Sequence, residues 1–406
     1  MNQQLESRLT YGGWPVVGAS LVGLAVSPGP LVFGSLGILA GAFQSEFGWG
    51  RGDVMFALTV FNLSTIVAAP FIGRLMDQIG ARRVLIIFVS LFGASLATPY
   101  FGLSSLFHLY AVLFVAGAFS PGAQSMPYTR LITSWFDRRR GLAIGLAASG
   151  LGAGYAVIPP LVDHVLTQYG WRATFGALGA SVFAIPLIFV LLLARPKPTS
   201  QGVLESTSLP GKTAREAIQT RDFWVIASTI LLFSCLLTGF VPHIVPLLKD
   251  EGLTGAVAAK YAAAFGATTF LGRVVVGLLL DRFFAPTVAI VFFSISLVGF
   301  VLLLGAAAPG ALLIAVLLVG VGFGAESDLI AYFVSRYFGL KSFGQIYGYM
   351  LSAFIIGAAI GPIALGYGYD YFGRYTEVLV TFVGVGLLGL LALTRLGPYP
   401  FPASSD

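Results

Sequence analysis

Apolar stretches of about 20 residues, long enough to cross a ~30 Å hydrocarbon core, recur along the whole of this chain with short polar gaps between them. Little constrains a fold more. With no water inside a bilayer, backbone N–H and C=O groups must bond within their own segment, which leaves helices for runs of this length. Only 10% of residues are charged and 57% are hydrophobic, against about a quarter charged in ordinary soluble domains. A water-soluble fold is excluded, and the chain reads as an all-α membrane protein.

The runs place spans at about 14–43, 53–72, 82–102, 107–135, 141–162 and 171–195, then at about 223–249, 256–280, 284–305, 309–337, 342–366 and 375–396. Twelve transmembrane helices in two six-helix, pseudo-symmetric bundles are expected. The first run lacks a basic n-region and continues into a span-length segment, so it is read as retained and not as a signal peptide. The only cysteine, Cys235, falls in the seventh span. It offers no intramolecular disulfide and no cysteine metal site, and no cofactor is indicated.

With the N-terminus placed in the cytoplasm, 16 of the 23 Lys and Arg residues lie on the inner side and five on the outer, while Arg130 and Arg273 fall within spans. The positive-inside bias puts both termini in the cytoplasm. The net charge of +6 is therefore topogenic, and nucleic acid is not a partner. An integral protein of the plasma (inner) membrane is expected.

Between the halves, "ARPKPTSQGVLESTSLPGKTAREAIQTRDFW" has the composition of a solvated linker. The expected domains are residues 1–195, a cytoplasmic linker over 196–222, and residues 223–406. Within the linker, Ala214, Ala217 and Ile218 share a helical face away from Lys212, Arg215 and Glu216, which suits either a short amphipathic helix on the membrane surface or disordered linker. The halves resemble each other. "GRLMDQIGARR" (73–83) parallels "GLLLDRFFAP" (277–286), and Phe136 and Pro160 map to Phe338 and Pro362 at an offset of 202. Internal repeats of this kind mark transporters. Small residues crowd the fifth span (Gly141, Gly145, Gly150, Gly152, Gly154), where they serve either a sliding contact or static packing.

"GRLMDQIGARR" resembles the loop signature of the major facilitator superfamily. Within it, "YGGWPVVGA" (11–19), "RRRGLAIGLAASGLGAGYAVIPPL" with "YGWRATF" (138–175), and "GPIALGYGYDYFGRY" (361–375) resemble the monocarboxylate transporter family and its bacterial relatives, which include oxalate/formate exchangers. The resemblance implies the twelve-helix fold and alternating-access transport of small organic acids, commonly with a proton. The family's arginine of span 8, which pairs with the substrate carboxylate, falls on Arg273. The aspartate four residues earlier falls on Thr269, and a lysine of span 1 falls near Gly37. The second cation that matches a dianion in the exchangers has no counterpart in span 11 after Lys341, so a monoanion is expected.

Arg273 lies eight residues before Asp281, about 12 Å from the inner end of its helix at 1.5 Å per residue. A charge so deep costs at least ~2.5–3.5 kcal/mol on insertion scales and should face a cavity or a partner. A carboxylate clamp or a structural ion pair both answer that need. Glu326, in "GVGFGAESDLIAYFVSRYFG", lies about 18 Å from the inner end of span 10. Asp328, two residues on, points roughly 200° away. One acid is expected to face the cavity and the other a neighbouring helix or Arg273. If a substrate carboxylate displaces the acid from Arg273, that acid takes a proton, which assigns proton coupling to Glu326 and Asp328. A permanent pair holding two helices is the alternative.

Gln124 and Tyr128 correspond to Glu326 and Ile330 in the other half, and with Tyr332, Tyr349 and His243 complete the candidate substrate-binding set around Arg273. A buried, satisfied histidine and ordinary helix packing of the tyrosines are the alternatives. Arg130 either snorkels or joins the charges of the loop signature. Arg74, Asp77, Arg82, Asp281 and Arg282, at cytoplasmic helix ends, read as an inner gating latch or as topogenic charge. No Gly-x-x-x-x-Gly-Lys-Ser/Thr loop supports ATP-driven transport, and the polar residues of the spans offer no catalytic constellation. The expected function is secondary transport of a small monocarboxylate with a proton across the lipid bilayer. The alternatives are an organic anion exchanger or another carrier of the superfamily, for aromatic acids or drugs.

Overall fold

The computed structural model describes residues 11–194, 210–305 and 308–401. Long apolar helices fill the described chain: α1 Trp14–Phe47, α2 Arg51–Ile79, α3 Ala81–Phe101 and α4 Leu106–Trp135. Next, one helical stretch runs from Arg140 to Leu192. It breaks at Gly170, where φ 77° and ψ 173° leave the helical region; a positive φ of this kind suits a residue without Cβ. The pieces 140–169 and 171–192 are α5 and α6. Then follow α7 Arg221–Asp250, α8 Gly255–Leu280, α9 Ala285–Gly305, α10 Pro309–Phe338, α11 Phe343–Phe372 and α12 Thr376–Leu393. Six spans precede the linker and six follow it.

Several spans are interrupted where the sequence removes backbone donors or side chains. α1 breaks at Val26–Ser27 and continues through a π-turn, Gly29–Phe33, containing Pro30. In α4, Ser120–Ala123 form a 3₁₀ turn with Pro121 inside it, and Gln124 is extended (φ −108°, ψ −159°). α7 tightens to a 3₁₀ turn at Val241–His243, around Pro242. Proline in a helix interior deletes a hydrogen bond and crowds the preceding turn.

The chain divides into two compact units, one of residues 1–211 with 340–348 and the other of 212–339 with 349–406. In the first, α1 packs against α5, α2 against α4 and α3 against α6. Gly150 of α5 makes the first contact a close one, since a Cβ there would sit 2.0 Å from the Leu21 carbonyl oxygen. At the "YGWRATF" turn, the Trp171 indole and the Arg172 guanidinium both donate to Glu46, tying the start of α6 to the end of α1. The second unit centres on α10, which packs along α8 and α9 and also meets α7.

Residues 196–209 of the expected linker lie outside the described residues. Its remainder contains a short helix, Ala214–Ile218, opened by a capping box between Thr213 and Glu216. Ala214 and Ala217 are buried while Arg215 and Glu216 are exposed, the face division expected for an amphipathic helix.

A carboxylate and arginine site in the second unit

α8 and α10 cross closely because Gly324 has no side chain. A Cβ there would come within 2.3 Å of the Thr269 carbonyl oxygen and 3.0 Å of the Arg273 amide nitrogen. Residues four apart on a helix share a face. Arg273 follows Thr269 by four, and Asp328 follows Gly324 by four. The crossing therefore lays one over the other, and Arg273 Nη1 donates to Asp328 Oδ1 at 3.4 Å. The side chains are 11% and 4% exposed.

The pair is long and singly bonded, whereas a guanidinium offers five donors in a planar fork. Among the described residues, Asp328 is the only hydrogen-bond or ion-pair partner recorded for Arg273. Where the resembling family carries an aspartate on span 8 itself, Thr269 donates instead to the Phe265 carbonyl. The acid that meets Arg273 comes from α10.

Glu326 turns the other way, as the angle between positions i and i+2 requires. It is 2% exposed, and its Oε1 is buried without a hydrogen-bond partner. The two acids of "GAESDL" thus meet different surroundings.

The remaining candidate residues divide. In the first unit, Gln124 is half-buried at the α4 break. Tyr128 is 1% exposed, and its hydroxyl packs on Gly23 of α1 without a hydrogen bond. In the second unit, Tyr332, His243 and Tyr349 each make a contact within that unit. Tyr332 donates its hydroxyl to the Leu280 carbonyl and lies beneath the Arg336 guanidinium, so it fastens α10 to the inner end of α8. Both ring nitrogens of His243 are engaged, one with the Tyr375 hydroxyl at 3.0 Å and the other with the Pro362 carbonyl at 3.1 Å. Tyr349 stands edge-on to Phe223 near the start of α7.

Of the described residues expected at an inner latch, Asp77 bonds backbone amides and not a charged side chain. Asp77 Oδ1 and Oδ2 accept the amides of Gly344 and Gln345 at 2.9 and 3.0 Å, so the carboxylate caps the N-terminus of α11, within the first unit. Unbonded amides and the helix dipole favour an anion there. A Cβ on Gly73 would lie 2.0 Å from the Gly344 carbonyl oxygen. Arg130 joins this clasp, donating to the Leu340 carbonyl at 3.3 Å and facing the Phe343 ring. By contrast, Arg82 donates to the Leu191 carbonyl at the end of α6, and Arg74 and Arg282 are exposed. Asp281 is half-buried at the end of α8.

A further element has no counterpart among the sequence expectations. The Tyr399 hydroxyl accepts the Ala285 amide at the start of α9, and its ring packs on Phe284 and Tyr337. Tyr337 donates to the Gly397 carbonyl and the Phe401 amide to the Arg336 carbonyl. Burial pushes the Tyr399 phenol up to about 12. The cluster of aromatic and proline residues in "GPYPF" was the available signal.

Comparison with known proteins agrees with this architecture. The human monocarboxylate transporter 11 is 27% identical over 382 residues, covering 90% of this chain and 78% of its own. An uncharacterized MFS-type transporter of Bacillus subtilis, YcxA, is 23% identical over 380 residues, 89% of this chain and 88% of its own. The crystal structure of the human organic anion transporter MFSD10 superposes with a TM-score of 0.73 at 15% identity, over 94% of this chain and 99% of that one. The model of the Major Facilitator Superfamily matches residues 22–362, and the chain, an integral membrane protein with the fold of these transporters, belongs to that family.

Proposed function

We propose that this transporter carries a small monocarboxylate by alternating access together with a proton, with Arg273 receiving the carboxylate and Asp328 the proton. The observation that carries the reading is the single 3.4 Å bond between them in the second unit, the one partner recorded for Arg273 among the described residues. An incoming carboxylate can take the fork of Arg273 in a bidentate grip. Asp328 then loses the Arg273 charge in a poorly solvated place, and withdrawing one partner of a buried ion pair costs several kcal/mol. Binding a proton removes that cost. One proton thereby accompanies one monocarboxylate, and both leave when the ion pair re-forms.

Two further points support the reading. The human relative is named a monocarboxylate transporter. α11, from Phe343 to Phe372, has no Lys or Arg to match a second carboxylate, which disfavours exchange of dianions. The clasp of Asp77 must open whenever the start of α11 leaves α2, so it is assigned the inner gate. Uptake of labelled lactate or pyruvate into proteoliposomes, with a panel of acids as competitors and with or without a pH gradient, tests the proposal. Uptake driven by inward acid and inhibited by monocarboxylates is expected. Uptake indifferent to the gradient but driven by internal anion would identify an exchanger instead.

A further inference from the structure

Three polar groups of α7 and α10 take no part in holding the Arg273 pair. Glu326 Oε1 and Thr238 Oγ1 are buried without hydrogen-bond partners. Cys235 is a free, half-buried thiol. Cys235 and Thr238 are three residues apart and share one face of α7. α7 packs against α10, which carries Glu326. Counted from Arg221, Cys235 lies about 21 Å along its helix, a depth similar to that of Glu326. Buried polar atoms are ordinarily paired, and two orphans on facing helices beside a thiol describe a place built to be completed by a ligand.

We infer that Glu326, Thr238 and Cys235 form a second polar subsite beside the Arg273 clamp, one that takes a hydrogen-bond-donating group of the substrate, a hydroxyl or an ammonium, and rejects a second carboxylate. The inference rests on the carboxylate reading of Arg273. Charge supports the direction of selectivity. With Asp328 protonated, Arg273 from α8 balances the first carboxylate; on α10 Glu326, when ionised, is left over, α7 offers only the thiol at this depth, and α9 has no titratable side chain. That remaining negative charge attracts a donor and repels a second anion. An unpaired carboxylate at this depth is relieved by accepting a hydrogen bond from such a donor. The Arg273 grip sets the orientation of the acid, and the subsite reads what stands next to its carboxylate.

The test uses the full-length protein in proteoliposomes. Labelled propionate uptake is competed by propionate, lactate, alanine and succinate, and Cys235, the only cysteine, is labelled with a methanethiosulfonate in the presence of each. Lactate or alanine is expected to compete about tenfold better than propionate, as one hydrogen bond to a charged acceptor allows, and to protect Cys235 better. Succinate is expected to compete worst. Lactate against alanine separates hydroxyl from ammonium. Glu326→Gln and, independently, Thr238→Val are expected to compress the advantage severalfold. If propionate is taken up but the ratios stand unchanged in both variants, the subsite is overturned and the Arg273 reading survives. If the wild-type protein takes up none of the acids, the carboxylate reading falls and the subsite with it.

Discussion

Glu326 and Asp328 stand two residues apart on one helix, yet only Asp328 bonds Arg273, at 3.4 Å, while Glu326 keeps a buried oxygen without a partner. The helix turn separates them by about 200°. Under the proposed carboxylate grip, a substrate displaces Asp328 from Arg273 and meets Glu326 separately.

If Arg273 grips the carboxylate by its fork, charge alone is insufficient there. Arg273→Lys keeps the charge and loses the planar donors. Uptake at subsaturating substrate is expected to fall at least about tenfold, with protein level and melting temperature largely retained. Undiminished uptake in Arg273→Lys would show that a point charge suffices.

Gly324 sets the helix crossing that makes the pair. Gly324→Ala drives a Cβ to 2.3 Å from the Thr269 carbonyl oxygen, and backbone cannot step aside as a flexible side chain can. A loss of about 1–3 kcal/mol is expected, read as a lowered melting temperature in detergent, together with lost uptake.

Asp77 caps α11 with both carboxylate oxygens. Asp77→Ala removes both acceptors, and the cost expected of a lost cap is about 0.5–2 kcal/mol. Asp77→Asn keeps one acceptor and should fall between Ala and wild type. Equal melting temperatures for all three would show that the clasp carries no stability.

The Tyr399 phenol, ordinarily near 10, is raised to about 12 by burial. Its neutral form is the one the folded protein favours, so its contribution is fully present below pH 10 and is lost as pH rises from 10 to 12. Over that window the melting temperature of wild type should fall more steeply than that of Tyr399→Phe. Parallel curves would remove Tyr399 from the stability of this end of the second unit.

The spans were legible because apolar runs of bilayer length leave only one secondary structure, and even the Gly170 turn separated two runs correctly. The depth of Arg273 and the opposed directions of Glu326 and Asp328 followed from helix rise and turn. Which acid meets Arg273 did not follow, because that depends on the crossing at Gly324, and glycine spacing alone does not say which neighbour approaches. Nor were the partners of Tyr332 and His243 legible, polar residues in apolar spans whose hydroxyl and ring nitrogens go to the Leu280 and Pro362 carbonyls and Tyr375. The partners of Asp77 were not legible because sequence displays charges, whereas those partners are the backbone amides of Gly344 and Gln345.

The most direct measurement is acid-driven accumulation of a labelled monocarboxylate in proteoliposomes by wild type and Asp328→Asn, with counterflow measured in parallel at equal pH on both sides. Wild type should accumulate the label above its external concentration when the outside is acidic. Asp328→Asn should still equilibrate label in counterflow but no longer concentrate it. Accumulation by Asp328→Asn equal to that of wild type would contradict the assignment of the proton to Asp328.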